Sequence, residues 1–357
     1  MHGHGSVRRL YYRKVFTLGI TIAATVFVFS LIVFVHEFGH FMTAKLTGMQ
    51  VDEFAIGFGP KIYSHQYGAT LYSLRAVPLG GFNRIAGMTE EEPLNEKSFL
   101  NKPVHSRLLV IAAGAVMNFV LALVLIWGIT FAVGTMEVST EPVVGSVIAD
   151  SAAEHASMQK GDRIISIGGT TIETWNDISK TVAKHTKEVV PVVVNRDGAT
   201  ITLEMIPKTD PQSNKAVLGV MPVITEQSHG FLESAGMAVT RTGTICKMML
   251  VGLYEMVTGA QKAEVAGPLG VAQLAGQVAS VGFVNLLMFT AFLSLNLGIL
   301  NLLPIPMLDG GYIILLLLEG ITGRRMPKQA LRVIQTIGMV ILGALFIFAM
   351  FQDISRF

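Results

Sequence analysis

The chain has 357 residues, of which 51% are hydrophobic and only 15% charged, with a formal net charge of +2. That balance belongs to an integral membrane protein with some soluble portion. It excludes an ordinary soluble enzyme and a protein that grips nucleic acid through a basic surface. The single cysteine, Cys246, excludes an internal disulfide and any cysteine-built metal cluster.

The His2-Gly3-His4-Gly5 start reads as a disordered terminus rather than a metal site. Arg8, Arg9, Arg13 and Lys14 then precede an uncharged run from Val15 to Val35. At ~1.5 Å per helical residue this run spans ~30 Å, one hydrocarbon core. It is too long for the apolar part of a signal peptide and lacks a small-residue cleavage site, so a retained membrane helix is expected. The last turn of this span carries His36-Glu37-Phe38-Gly39-His40. On a helix, H-E-x-x-H puts both imidazoles on one face, able to reach one metal ion, with the glutamate beside a water bound to it. Ionisable groups at membrane depth are costly and mark function by default.

Residues 46–107 read as short β-prone pieces, Val51 to Ile56, Lys61 to Ser64 and Thr70 to Leu74. Glycine turns at Gly57-Phe58-Gly59-Pro60 and Gly68-Ala69 separate them, and Leu79-Gly80-Gly81-Phe82 adds another. A small sheet of hairpins beside the first helix is expected, followed by an exposed acidic loop at Glu90-Glu91-Glu92. Leu108 to Val133 is a second span, interrupted only by Asn118, which reads as a packing hydrogen bond or, less favoured, a substrate contact; Gly114 lies one turn before it.

Charges return in residues 138–222, with alternating strand and turn signals and a helix expected over Asp177 to His185 capped by Asn176. The run Gly161-Asp162-Arg163-Ile164-Ile165-Ser166-Ile167-Gly168-Gly169 resembles that of PDZ domains, which capture extended peptides along a sheet edge. The alternative is a generic β-rich domain without a ligand. Met237 to Val257 is apolar but punctuated by Arg241, Lys247 and Glu255, as suits an amphipathic helix at the interface. Val281 to Leu303 is the core of a third span. Pro304 and Pro306 then break the helix and present Asp309 amid apolar sequence, an arrangement tolerated at membrane depth only in protein or around a cavity. The basic patch Arg324, Arg325, Lys328 and Arg332 precedes a fourth span, Val333 to Phe351.

A hydrolytic zinc site needs three protein ligands and one open position. His36 and His40 supply two. Asp309 is the outstanding third candidate, because coordinating a cation removes the penalty of a lone carboxylate there; the alternative is a helix-capping role before Gly310-Gly311.

H-E-F-G-H on the first span, N-L-L-P-I-P-M-L-D-G-G at residues 301–311 and a PDZ-like domain between spans two and three resemble the site-2 protease family. The similarity is to its bacterial RseP-type, or regulator of sigma-E protease, members and covers nearly the whole chain. It implies a polytopic α-helical membrane protein of four transmembrane helices, with a membrane-associated β-hairpin region and one inserted PDZ-like α/β domain. It implies an intramembrane zinc endopeptidase with Zn2+ on His36, His40 and Asp309, and Glu37 as general base. Asn301, Pro304 and Pro306 would line the substrate groove, and Gly57-Phe58-Gly59 would pair with substrate as an added strand. Some relatives have two PDZ units where one is visible here.

The expected order is 1–45, N-terminal segment and first span; 46–107, β region; 108–135, second span; and 138–222, PDZ-like domain. Then come 223–280, interfacial helix region; 281–321, third span; and 322–357, basic loop and fourth span. The connections at 46–107 and 322–332 carry ten Lys and Arg against five on the other side outside the long loop. The resemblance implies a bacterial cytoplasmic membrane location; the charge count favours those connections and the active site toward the cytoplasm and the PDZ-like domain outside, while the basic N-terminus argues the other way. Expected partners are the lipid bilayer, single-span substrates of anti-sigma factor or remnant signal-peptide type, and a peptide C-terminus at the PDZ-like domain; nucleic acid is not expected. Two rivals are a catalytically inactive PDZ-bearing scaffold and an ion-coupled transporter, the latter lacking the inverted repeat it requires.

Overall fold

A computed structural model describes residues 4–88, 94–185, 188–209, 216–260 and 266–355. His2, Gly3 and the acidic loop at Glu90-Glu91-Glu92 lie outside the described residues. The chain forms two compact units, residues 1–130 with 231–357, and residues 131–230.

The first unit begins with α1 (His4–Leu46). The first span was expected to end near Val35, with H-E-x-x-H on its last turn. Instead the helix continues ten residues past His36, or ~15 Å at the helical rise. Phe41-Met42-Thr43-Ala44 keeps the run helical, and Gly48 stops it with φ +68°. There Met49 N–H donates to Ala44 O and Gly48 N–H to Lys45 O, the double closure of a left-handed C-cap. The motif is therefore well inside the helix.

Strands β1 (Val51–Tyr67) and β2 (Thr70–Ile85) follow. Each is bent, so two strands make a sheet four segments wide. Residues 51–56 lie between 81–85 and 71–74, while 61–67 pair with 70–75. The bends fall at Gly57 (φ +88°), Gly59 (φ +84°) and Gly80 (φ +136°), which only glycine adopts readily. Inside the sheet the buried Glu53 accepts from Ser73 Oγ and Arg75 Nη2, both at 2.7 Å. The expected short hairpin pieces are thus present, but Gly57-Phe58-Gly59 bends a continuous strand instead of turning the chain.

Helix α2 (Val104–Val133) is the axis of the unit. After the second unit come five more helices among the described residues. These are α5 (Phe231–Thr258), α6 (Pro268–Val281), α7 (Phe283–Leu302) and α8 (Asp309–Thr322), with α9 (Lys328–Ser355) last; α3 and α4 belong to the second unit. Helices α7 and α8 run down one side of α2 as a single interrupted span. Leu295 packs with Ala122 and Ile126, Gly298 approaches Ala115 and Asn118, Leu316 packs with Val110 and Ile111, and Glu319 meets Arg107. The interruption at 303–308 falls midway along this path. Among the described residues, four helices are long and apolar enough to cross a membrane: Thr17–Leu46, Val104–Val133, Phe283–Leu302 and Gln329–Ser355.

Expected as interfacial, α5 packs Ala238, Ile245, Cys246 and Met249 against α2 and α7. Its small and apolar residues make a stripe that the spaced charges obscured. Helix α6 lies on α1, with Gly276 against Thr21.

The second unit holds β3 (Thr135–Val138), β4 (Val144–Val147), α3 (Ala152–His155), β5 (Arg163–Ile167), β6 (Thr170–Thr171) and α4 (Trp175–Val182). It continues with β7 (Val190–Arg196), β8 (Ala199–Met205), β9 (Lys208–Thr209), β10 (Ala216–Val217), β11 (Val220–Pro222) and β12 (Ile224–Gln227). A four-stranded antiparallel sheet in the order β6-β5-β7-β8 carries the alternating Val190, Val192 and Val194 into a core with Ile164, Ile167 and Ile178. Helix α4 starts two residues before the expected Asp177, because Thr174 N–H and Oγ1 both donate to Asp177 Oδ2 and close a capping box. Residues 224–227, expected in the helical region, instead pair with β3.

Asp162 of the G-D run is buried and held by Arg196, Nε to Oδ1 and Nη2 to Oδ2, both 2.7 Å, and by Gln159 N–H at 2.9 Å. Burial alone would raise its pKa; these bonds outweigh it and hold the carboxyl below its ordinary value.

Candidate metal centre

Helix α1 presents His36 and His40 one turn apart toward α2, and two glycines let the helices meet. A Cβ at Gly39 would fall 2.4 Å from Ala113 O, and one at Gly114 would fall 2.3 Å from His40 Nε2. The third group arrives from the broken span. Leu303 to Leu308 leave the helical path, Met307 takes φ +78°, and α8 starts at Asp309. Gly310 and Gly311 fit beneath the carbonyls of Leu303 and Ile305, where a Cβ would clash at 2.1 and 2.5 Å. The turn can therefore fold tightly enough to aim Asp309 at α1.

His36 Nε2 and His40 Nε2 are 3.2 Å apart, and Asp309 Oδ2 lies 3.5 and 3.6 Å from them. Ligands held ~2.0–2.1 Å from one tetrahedral ion stand ~3.3 Å from each other, so the three separations have the size a zinc ion sets. Asp309 Oδ2 is buried without a hydrogen-bond partner among the described residues. A carboxylate oxygen left so at membrane depth is a heavy penalty that a cation removes. The donor set and the orphaned oxygen both fit zinc.

The outer ring nitrogens are braced. His40 Nδ1 lies 2.8 Å from Val110 O, so it carries the proton and leaves Nε2 as the donor toward the cluster. His36 Nδ1 lies 3.2 Å from the amide of the fully buried Asn118. With His36 Nε2 also facing the cluster, Nδ1 is the protonated atom. The structure sets Asn118 Nδ2 against Nδ1; turning the amide over, which leaves its shape unchanged, lets Oδ1 accept from the protonated Nδ1. Ser294 Oγ in turn donates to Asn118 O at 2.9 Å. Asn118 was expected to make a helix-packing hydrogen bond or, less favoured, to touch substrate; its amide links α2 to α1, and its partner there is a histidine.

Glu37 points from the same helix toward β2. Asn83 Nδ2 donates to Glu37 Oε2 at 2.8 Å and to Glu37 O at 2.6 Å, and Gly81 lies against the Glu37 side chain. Asn83 carried no sequence signal, since one polar residue in a short strand is ordinary. Asn301 is buried in the last turn of α7, and Pro304 lies in the break. Pro306 packs on Gly338 of α9. Phe58 lies over Gly80, so Gly57-Phe58-Gly59 meets the 77–80 bend. Residues 53–56 are paired on both sides; among the described residues no strand pairs with the outer side of 81–85, the segment beside Glu37.

Two imidazoles, a carboxylate and a second carboxylate one residue from the first ligand, set among membrane helices, are the donor set of a hydrolytic metal centre. Comparison with known proteins agrees. Peptidase family M50 matches residues 24–345. The chain is 34% identical over 334 residues to a provisionally named zinc metalloprotease of Clostridium acetobutylicum, covering 93% of this chain and 97% of that one. It is 31% identical over 417 residues to the regulator of sigma-W protease RasP of Bacillus subtilis, covering 94% and 98%. A PDZ domain of an SdrC-like protein from Listeria monocytogenes, 17% identical, covers 24% of this chain and 93% of that one at a TM-score of 0.22. The chain belongs to peptidase family M50, the site-2 proteases. It is a multi-pass membrane zinc metalloendopeptidase of regulated intramembrane proteolysis, and zinc is its cofactor.

Proposed function

We propose that this protease cuts the transmembrane segments of single-span proteins, of anti-sigma factor or remnant signal-peptide type, at a zinc held by His36, His40 and Asp309. The observation that carries the reading is the orphaned Asp309 Oδ2 facing two imidazole nitrogens beside an open strand edge. Zinc, when bound, supplies Lewis acidity and an acidified water. Glu37 takes the proton of the attacking water on Oε1, because Asn83 holds Oε2, and passes it to the leaving amide nitrogen. Asn118 and Val110 O keep both rings oriented throughout.

A helical substrate carbonyl is shielded by its own hydrogen bond, so the segment must unwind before attack. The outer side of 81–85 offers the backbone groups to hold it as an added strand, supported by its closeness to Glu37. The family resemblance implied Gly57-Phe58-Gly59 for this role, and those residues lie at a bend of the same sheet. Asn301, at the end of α7, and Pro304, in the break that precedes Asp309, would line the substrate groove. The second unit is a PDZ-type domain, a reading supported by its G-D-R-I-I-S-I-G-G run and small antiparallel sheet. Charge balance supports a position outside the cell for this unit and a cytoplasmic one for the 46–107 connection.

The test is cleavage of a purified model transmembrane substrate with and without a zinc chelator, alongside Glu37→Gln. Cleavage should stop in both while Glu37→Gln keeps its zinc. Cleavage retained by Glu37→Gln would remove it as the base, and zinc-loaded wild type that never cuts would favour the scaffold reading.

A further inference from the structure

One end of the Asn83 amide is engaged and the other is not. Asn83 lies in the strand segment 81–85, opposite Phe54, and turns its side chain to α1. Its Nδ2 donates to Glu37 O at 2.6 Å and to Glu37 Oε2 at 2.8 Å. Glu37 O is a main-chain carbonyl and can only accept, so a nitrogen must face it. Chemistry therefore fixes which way round this amide stands, and Oδ1 takes the remaining position. Oδ1 is buried and has no hydrogen-bond partner among the described residues. A carbonyl oxygen left so has given up water without a replacement, and buried polar atoms are otherwise nearly always paired. The position calls for a donor.

The surroundings say which donor. The outer side of 81–85 pairs with no strand among the described residues, so an extended segment laid there brings its own main-chain N–H groups. Gly81 presents no side chain where a Cβ would come within 3.6 Å of Glu37 Cγ, which leaves the strand bare beside the carboxylate. The amide that holds Glu37 Oε2 also keeps Oδ1 within one carboxylate and one amide width of Oε1. Any nitrogen that takes a proton from Oε1 is therefore close to Oδ1. In peptide hydrolysis that nitrogen is the leaving one. When the carbon–nitrogen bond breaks, its electron pair stays on nitrogen, which takes the proton Glu37 carries and departs as an amine. A nitrogen that becomes protonated donates a stronger hydrogen bond than an amide does. An acceptor beside it is used most in the transition state.

We propose that Asn83 Oδ1 accepts a hydrogen bond from the N–H of the scissile peptide bond and holds the leaving nitrogen as it is protonated. That role rests on Glu37 as the base and on strand addition at 81–85, as proposed above. Asn83 itself transfers no proton. Its Nδ2 steadies the group that delivers the proton, and its Oδ1 holds the atom that receives it. One amide thereby sets the separation of the two.

The experiment uses the full zinc-loaded chain in detergent and two analogues of one transmembrane segment that the protease cleaves. In the phosphonamidate, tetrahedral phosphorus replaces the scissile carbon and the N–H is kept. In the phosphinate, a methylene replaces that N–H. Both present the same oxygens to the metal, so the pair differs in one donor. Dissociation constants are read directly, by displacement of a fluorescent analogue, without turnover. Wild type should bind the phosphonamidate about tenfold more tightly than the phosphinate. Asn83→Leu and Asn83→Ala should bind the two equally, and zinc content at the wild-type level marks these variants as folded. If Asn83 acted only by steadying Glu37, both variants would keep the tenfold preference, and that result would overturn the proposal. So would a wild type without any preference, which needs no variant to observe. Failure of the underlying reading looks different: neither analogue would bind zinc-loaded wild type at all, and the role of Asn83 would fall with it.

Discussion

Gly114 offers a test of the metal centre that touches none of its proposed ligands. In Gly114→Ala the new Cβ would lie 2.3 Å from His40 Nε2 and 2.7 Å from His36 Cε1, whereas ordinary contact begins at 3.4 Å. The rings must therefore retreat by about 1 Å, yet Val110 O and Asn118 brace them from behind. A misplacement of about 1 Å at a reacting centre lowers the rate by on the order of 10²-fold. Alanine is intrinsically better than glycine in a helix by about 1 kcal/mol, so α2 itself should not suffer. Zinc per protein after dialysis and the cleavage rate of a transmembrane substrate should both fall. Gly128→Ala in the same helix, with nothing within 4 Å, should change neither. Wild-type zinc content and rate in Gly114→Ala would mean that the rings do not sit where the cluster requires them.

Asp309→Ala should lose zinc while the helices remain folded, measured as metal per protein against helical circular dichroism. Asn83→Leu should keep its zinc but lower kcat by about tenfold with little change in KM, since it frees Glu37 Oε2 without altering the ligands; an unchanged kcat would remove Asn83 from the site. Asp162 gives the second unit an acid-sensitive tie. Its folded pKa lies below the ordinary 3.8, so the stabilisation is complete above that value and is lost as pH falls through the lowered one. An acid titration read by Trp175 fluorescence in a Trp127→Phe background should show this loss. Arg196→Met, which leaves the buried carboxyl without its cation, should be less stable at neutral pH and should not show the same gain between acid and neutral pH.

Much of the centre could be read from residue type and spacing, because a metal site needs particular atoms at particular intervals. His36 and His40 are one turn apart, and Asp309 is the acid a helix break exposes. What escaped was whatever depends on the third dimension. Charge-free run length put His36 to His40 on the last turn of the first span, although the residues after them are compatible with helix and the real stop is Gly48. Gly57-Phe58-Gly59 looked like a turn because glycine marks turns and strand bends alike. The braces Asn83 and Asn118 are single amides, whose roles follow only from what faces them. The stripe of α5 that packs on α2 was hidden by charges that lie on its other sides.

The outer side of residues 81–85 has a consequence for selectivity. A strand edge reads main-chain groups, which every residue other than proline supplies alike. Such an edge distinguishes segments by how readily they leave the helix, not by which side chains they bear. Glycine, β-branched residues and hydroxylated residues near the scissile bond lower the work of unwinding, whereas leucine and alanine raise it. Under the strand addition proposed above, the enzyme would rank its substrates by the local weakness of their helices, and a firmly helical span would protect a membrane protein from it.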